Sequence, residues 1–257
     1  MSSRKVSMEQ QAWDEYAATY HENIISPFQE RVKNPLVADL ERLGTNNLVV
    51  ADIGCGIGDF LPFLAQQFRD VHAIDFSEQM LVQASQRQQA LKNVTFHQAD
   101  MRELTSIGAK FDVAIAVNSV LHPNPDDVQR SLEEIRGCLN DDGLFLGIFP
   151  SMESVLYNFS LVYDREFSKE ASEERALRQT KRICERRKYN FITGVYEDGS
   201  DRQKFYYEFE LGMRLRRAGF KNIKFKKVLY PWGAESGDYE DFHGMPEMWD
   251  WYVTAKK

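Results

Sequence analysis

Cysteine is scarce in this chain. There are three among 257 residues, Cys55, Cys138 and Cys184, far apart and odd in number. None forms a Cys-x-x-Cys pair or a Cys/His ligand spacing, which argues against a disulfide framework and a zinc site and points to a reducing, cytoplasmic compartment. No metal site is expected. Long apolar runs are also missing. The longest, around Val113–Val117 and Leu144–Phe149, are far too short to span a bilayer and read as buried strands. The opening MSSRKVSMEQ lacks the apolar core of a secretion signal. Positive charge is in deficit: 32 Lys and Arg against 39 Asp and Glu leave a net charge of −7. That speaks against a nucleic-acid binder, whose affinity rests on neutralising phosphates, and against an anionic membrane surface. What is present is ordinary for a globular chain, 43% apolar and 28% charged, enough to bury one large core.

Residues Met8–Glu22 have helical spacing, with Trp13, Tyr16, Ala17 and Tyr20 on one face. A second helix begins at Asn34-Pro35 and stops at Gly44. From Leu48 the pattern alternates. Strands are expected at Leu48–Ile53, Val71–Ile74, Val94–Gln98, Phe111–Val117 and Leu144–Phe149. Helices are expected at Asp59–Phe68, Ser77–Leu91 and Asp126–Leu139. Such alternation predicts an α/β fold with a mostly parallel sheet and helices on both faces.

The alternation stops at Pro150. Residues 151–203 hold an aromatic stretch (Tyr157, Phe159, Tyr163, Phe167) and a charged helix, Glu173–Arg187. Two strand-like runs follow, Tyr189–Tyr196 and Gln203–Phe209, around a turn at Asp198-Gly199. This predicts a helix/β-hairpin cap inserted after the fifth strand. A helix at Glu208–Ala218, a strand at Ile223–Leu229, an acidic loop at Ala234–Glu247 and a last strand at Met248–Thr254 complete a seven-stranded sheet. Residues 1–257 are therefore expected to form one domain, with 151–203 as an inserted substrate cap.

The most informative stretch is Val49–Leu61, VVADIGCGIGDFL. A strand ends at Asp52-Ile53, then Gly54, Gly56 and Gly58 let the chain turn sharply and let a ligand approach. The turn lies at the carboxyl end of the first strand, where open α/β sheets bind ligands. The spacing does not match G-x-G-x-x-G. Counted from Gly54 the third position is Asp59, and counted from Gly56 it is Leu61. The chain reads Asp-x-Gly-x-Gly-x-Gly, and an acid before the glycines suits an ammonium group rather than a phosphate. Asp75 ends the second strand, about 20 residues on, where a carboxylate accepts from both ribose hydroxyls. It also reads as an N-terminal helix charge beside Ser77. Asp100 ends the third strand, placed for an exocyclic adenine amino group with Met101 beside it. Three acids at the ends of three consecutive strands converge on one crevice.

These residues, together with VHAIDFSEQML, VTFHQADM, FDVAIAVNSVLH and LEEIRGCLNDDGLFLGIFP, resemble the class I S-adenosylmethionine-dependent methyltransferases. The resemblance covers roughly Trp13–Pro150 and returns at Phe205–Phe220 and in the final strand. It implies a Rossmann-like fold and S-adenosyl-L-methionine as cofactor, with S-adenosyl-L-homocysteine as product. It implies that Asp52, Gly54 and Gly56, with Cys55 inside the same turn, hold the methionine end. Asp75 would bind the ribose, Phe76 and Met80 would pack on the adenine, and Asp100 and Met101 would contact its edge. Asn118 would offer its backbone carbonyl to the ammonium. The aromatic opening resembles the family's WDxxAxxY pattern, with Tyr16 and Tyr20 over the cofactor.

Methyl transfer is an in-line displacement whose activated methyl belongs to the cofactor, so positioning does most of the protein's part. His122 is the candidate base, since it follows the fourth strand and should face the crevice, and histidine is a common acid–base residue. It reads equally as a loop hydrogen bonder before Pro123. Cys55 reads as a small packing residue rather than a nucleophile. No Asn-Pro-Pro-Tyr pattern follows the fourth strand, where Asn118-Ser119-Val120-Leu121 stands. The expected partner is a small-molecule methyl acceptor, with no membrane or nucleic acid. Two alternatives stand beside it. One is an RNA or protein methyltransferase using the basic face of Arg175, Arg178, Arg182 and Arg186, which also reads as a solvated surface. The other is a non-catalytic module that binds the cofactor and regulates a partner.

Overall fold

The computed structural model describes residues 14, 26–43, 47–169, 172–185, 188–198, 201–233 and 239–257. Asn34 starts helix α1 (Pro35–Arg42) by accepting the Leu36 N–H, and Pro35 occupies a position that needs no amide hydrogen. Then come β1 (Val49–Ile53), α2 (Leu61–Gln67), β2 (Asp70–Asp75), α3 (Glu78–Arg87) and β3 (Val94–Gln98). A 3-10 helix over Met101–Ile107 leads to β4 (Phe111–Val117), α4 (Pro125–Cys138) and β5 (Leu139–Pro150). Ser77 caps α3 by accepting from the Met80 N–H, and Asn124 caps α4 by accepting from the Asp126 N–H.

Beyond β5 lie α5 (Met152–Lys169), α6 (Glu173–Cys184), β6 (Tyr189–Asn190), β7 (Val195–Asp198) and β8 (Asp201–Lys204). The chain then returns through α7 (Glu208–Arg217), β9 (Lys221–Tyr230) and β10 (Met248–Lys256). The main sheet has seven strands in the order β3-β2-β1-β4-β5-β10-β9. Its pairings are parallel except those of β10, which runs antiparallel to both β5 and β9. The strand order reverses between β1 and β4, so a crevice opens beyond their carboxyl ends.

Both faces of the sheet are buried, and the strands show it. Along β4, Ala114 and Ala116 face one core while Val113 and Ile115 face the other. The first core takes Leu132 and Ile135 of α4 with Leu211 and Leu215 of α7. The second takes Leu36 and Leu40 of α1 with Leu61 and Leu64 of α2. Strands buried on both faces have little use for polar positions, which is why these read as short apolar runs.

The segment after β5 is richer in helix than its sequence pattern suggests. The aromatic stretch is the helix α5, packed against α6. The run Tyr189–Tyr196 is not one strand: residues 191–194 turn, with Gly194 at φ +68. A Cβ there would lie 2.4 Å from the Phe205 carbonyl oxygen, so only glycine fits. The hairpin is β7 on β8, and β6 adds a third strand. The run Gln203–Phe209 ends as a strand at Lys204, and Tyr206 bridges Ser151 instead. Lys204 N–H donates to Leu121 O at 3.0 Å, and the Tyr206 hydroxyl donates to Val120 O at 2.6 Å. The inserted segment is thus tied to the loop that follows β4.

Candidate functional site

The glycine turn after β1 is held from two sides. Gly54 N–H and Cys55 N–H both donate to Ile74 O of β2, at 2.7 and 3.0 Å. Gly54, Gly56 and Gly58 have φ of +75, +53 and +79. Ser119, just past β4, donates its hydroxyl to Ile53 O at 2.7 Å. A Cβ on Gly54 would stand 2.3 Å from the Ser119 Cβ. The turn therefore needs glycine both for its dihedral angle and for the close approach of a second loop.

Asp75 braces the same turn. Its carboxylate accepts from Gly56 N–H and Ser77 N–H, each at 2.9 Å. Burial pushes its carboxyl up to about 6, against the pull of these backbone donors. Asp52 is 4% exposed, and burial followed by the charge of Asp75 pushes its carboxyl up to about 7. Among the described residues, none donates a hydrogen bond to the Asp52 carboxylate. A buried anion without a partner is costly, and a cationic group brought to it would relieve that cost. Cys55 packs against the apolar core on the α2 side. Burial, then Asp75 and Asp52, push its thiol up, which disfavours the thiolate.

Met80 is buried and Phe76 half-buried at the start of α3. Asp14 reaches the same helix start, accepting from the Ser77 hydroxyl at 2.5 Å and from Gln79 N–H at 3.3 Å. The sequence reading singles out the aromatic residues around it and misses Asp14. The available signal is its acid type, which suits the positive end of a helix. Tyr16 and Tyr20 lie outside the described residues.

Asp100 begins the 3-10 helix by accepting the Arg102 N–H, with buried Met101 beside it. Arg102 Nε and Nη2 hold its two oxygens at 2.9 and 2.6 Å. Burial raises the Asp100 carboxyl, but Arg102 outweighs it, and the net shift is below the usual carboxylate range. The charge of His122 also lowers it, so His122, 8% exposed, lies on the Asp100 side of the crevice.

Asn118 follows β4 with φ +46, and its N–H donates to Ile148 O. Its side chain turns toward β10 rather than β1. Asn118 Nδ2 donates to Asp250 Oδ2 at 3.1 Å, and the Tyr230 hydroxyl donates to the same oxygen at 2.7 Å. Burial pushes the Asp250 carboxyl up to about 6, while Tyr230, Asn118 and the Ser151 N–H pull it down. Nothing in the sequence reading anticipated Asp250. Its signal was an acid inside an aromatic strand, Met248–Val253, opposite the end of β5.

On α6, Arg175, Arg178, Lys181 and Arg182 are exposed, and Arg178 pairs with Glu174 at 3.0 Å. Arg186 lies outside the described residues. Among the described residues, no group of three His, Cys, Asp or Glu is placed to hold a metal ion, and no helix is long and apolar enough to cross a membrane.

Residues 50–143 match the family described as "Methyltransferase domain". The putative methyltransferase YqeM of Bacillus subtilis is 32% identical over 99 residues, which are 38% of this chain and 40% of that protein. Magnesium-protoporphyrin O-methyltransferase of Synechocystis is 31% identical over 119 residues, 45% of this chain and 49% of that protein. The chain thus spans about half or less of the length of these curated relatives. Among solved structures, Burkholderia thailandensis 1,6-didemethyltoxoflavin-N1-methyltransferase, with bound 1,6-didemethyltoxoflavin and S-adenosylhomocysteine, aligns with a TM-score of 0.61 and 20% identity. That alignment covers 100% of this chain and 93% of the other, so the fold is shared along the whole length.

Proposed function

We propose, from the premise that residues 50–143 are a methyltransferase domain of the class I fold, that this chain transfers a methyl group from S-adenosyl-L-methionine to a small-molecule acceptor. The observation that carries the reading is Asp52. It is a buried carboxylate to which no described residue donates, beside a turn in which Gly54, Gly56 and Gly58 all have positive φ. A ligand with an ammonium group and a ribose answers both Asp52 and Asp75.

When bound, the cofactor supplies a methyl group on a sulfonium, ready for displacement. The chain's own residues would do the following. Asp52, with the backbone at Gly54, Cys55 and Gly56, would hold the ammonium end. Asp75 would accept from the ribose hydroxyls while it braces Gly56. Phe76, Met80 and Met101 would cover the adenine, and Asp100 would meet its edge. The Arg102 clamp leaves Asp100 ionised and oriented for that contact. Tyr16 and Tyr20 would cover the cofactor, and Asn118 would offer its backbone carbonyl. An acceptor that is already nucleophilic needs alignment and exclusion of water more than a base. Where an acceptor must lose a proton, His122 is the candidate to take it.

A small acceptor is supported by the aromatic cluster that joins Phe159 and Tyr189 of the inserted segment to Phe205, next to the Lys204 contact with the loop after β4. The Burkholderia neighbour also carries a small heterocycle, 1,6-didemethyltoxoflavin. The test is calorimetry with S-adenosylmethionine, followed by transfer of a labelled methyl group to small-molecule, peptide and RNA pools. The reading predicts cofactor binding and label in the small-molecule pool. Absence of cofactor binding would overturn it, and label in RNA or peptide alone would overturn its acceptor class.

A further inference from the structure

We infer that Asp250, set by Tyr230 and Asn118, is the anchor of the methyl acceptor, and that the acceptor it selects presents an amine. The inference rests on the function proposed above and deepens it.

The argument begins with two neighbours that point apart. Ser119 turns to the glycine loop of β1, where its hydroxyl meets Ile53 O. Asn118 turns the other way, across the end of β5, to Asp250 on β10. Residues 118 and 119 thus separate two polar regions at the carboxyl edge of the sheet. One faces the cofactor turn. The other lies two strands away from β4, about 10 Å at the usual strand spacing, beside the first residues of the inserted segment.

That second region is built from acceptors. Asp250 accepts from Asn118 Nδ2, the Tyr230 hydroxyl and the Ser151 N–H. It is nonetheless only half-buried. A carboxylate accepts and does not donate, so the Asn118 amide must turn its nitrogen to Asp250 and its oxygen away. That oxygen, Oδ1, is buried and has no hydrogen-bond partner among the described residues. An orphaned acceptor is costly, and a ligand donor removes the cost. The Tyr230 proton is already committed to Asp250. The region therefore offers a carboxylate and an amide oxygen to one incoming group. A hydroxyl has one hydrogen to give and a carboxylate has none. A primary amine has two, and as an ammonium it has three and also matches the charge. Tyr230, Trp232 and Met248 belong to the apolar core at this edge, so an aromatic amine suits the surroundings.

In the reaction, the bound ammonium first passes one proton to the Asp250 carboxylate, and the amine nitrogen so freed attacks the methyl carbon with its lone pair. The carbon–sulfur bond breaks with its electron pair on sulfur, leaving a neutral thioether. The product leaves as the N-methyl ammonium, and Asp250 gives its proton to water. For this acceptor class His122, on the Asp100 side, is not required.

The test uses the full chain with S-adenosylhomocysteine bound and matched probes: benzylamine, benzyl alcohol and benzoate. Calorimetry should show the amine binding at least about tenfold tighter than the other two. Asp250→Asn should erase that preference and leave S-adenosylhomocysteine affinity within about twofold. Tyr230→Phe, a milder change, should reduce the preference several-fold with the fold intact. With labelled S-adenosylmethionine, label should enter the amine, and Asp250→Asn should lower that transfer about a hundredfold, within the range for a positioned acid–base group. The inference is overturned if the alcohol or benzoate is preferred, if no probe binds, or if the amine preference survives Asp250→Asn. Loss of S-adenosylhomocysteine binding by the wild type would instead strike the function on which the inference rests.

Discussion

The carboxylate of Asp75, at the end of β2, accepts the backbone N–H of Gly56, in the turn after β1, at 2.9 Å. One side chain therefore shapes the glycine turn and, in the proposed function, binds the ribose. Asp75→Ala removes both contributions. Hydrogen bonds to a charged group are each worth about 1.5–3 kcal/mol, so S-adenosylmethionine affinity should fall by about tenfold to a hundredfold. Calorimetry checks this, and unchanged affinity would remove Asp75 from the site.

Gly54→Ala should be among the most damaging small changes. Its φ of +75 is strained for alanine, and the new Cβ would stand 2.3 Å from the Ser119 Cβ. The expected loss is about 2 kcal/mol or more in chemical denaturation. Adding Ser119→Gly removes the clash but not the backbone strain, so the double variant should recover only part of it. Full recovery would show that the dihedral angle is unimportant.

Cofactor affinity should depend on pH through Asp52. Its carboxyl titrates at about 7, and the ammonium of the ligand binds the ionised form. Affinity should therefore be full above that pH and fall as pH drops, approaching tenfold per unit. Asp52→Asn should weaken binding and flatten that dependence. Calorimetry between about pH 5.5 and about pH 8.5 gives both curves.

The same residue makes the opposite prediction for stability. The folded carboxyl titrates at about 7, well above the usual 3.8. Ligand-free stability is then lost as pH rises between those values, because the folded state holds a proton that the unfolded state has released. At about pH 8 Asp52→Asn should raise the melting temperature, by about 2–4 °C for each kcal/mol relieved. A variant that melts lower at that pH would mean that a donor meets this carboxylate in the free protein.

Two ion pairs of the inserted segment should differ. Lys204 is 2% exposed, and its ammonium meets Glu210 at 2.7 Å, Thr193 O at 2.7 Å and Phe205 O at 3.0 Å. Lys204→Ala strands the Thr193 and Phe205 carbonyls and leaves Glu210, 15% exposed, to Arg214 alone, at a cost of about 2 kcal/mol or more. Arg165 meets Glu240 at 2.7 Å with both side chains about a third exposed, and its second partner, Glu166, keeps Lys169 at 3.1 Å, so Arg165→Ala should cost only about 1 kcal/mol. Thermal and chemical denaturation of both variants tests the contrast.

The chain order of strands, helices and the glycine turn was legible in the sequence because each rests on local physics. Val113–Val117 is apolar because β4 is covered on both faces. Asp52, Gly54, Gly56 and Asp75 could be read together because the turn needs positive φ and each acid ends a strand. The inserted segment was read less well. Tyr189–Tyr196 has the composition of a strand, yet the contact of Gly194 with Phe205 breaks it, and that contact is not written in the pattern.

By itself, then, the sequence determined the period of each element and the acids at the ends of β1, β2 and β3. Only the tertiary structure decided that β10 enters the sheet antiparallel between β5 and β9, and so brings Asp250 to Asn118, 132 residues earlier. It also decided that Tyr230 aims at the same carboxylate. The reason is range. Side-chain alternation is set by the residues next along the chain, whereas the register of distant strands is chosen by which apolar faces close together, and the polar contacts at their ends follow from that choice.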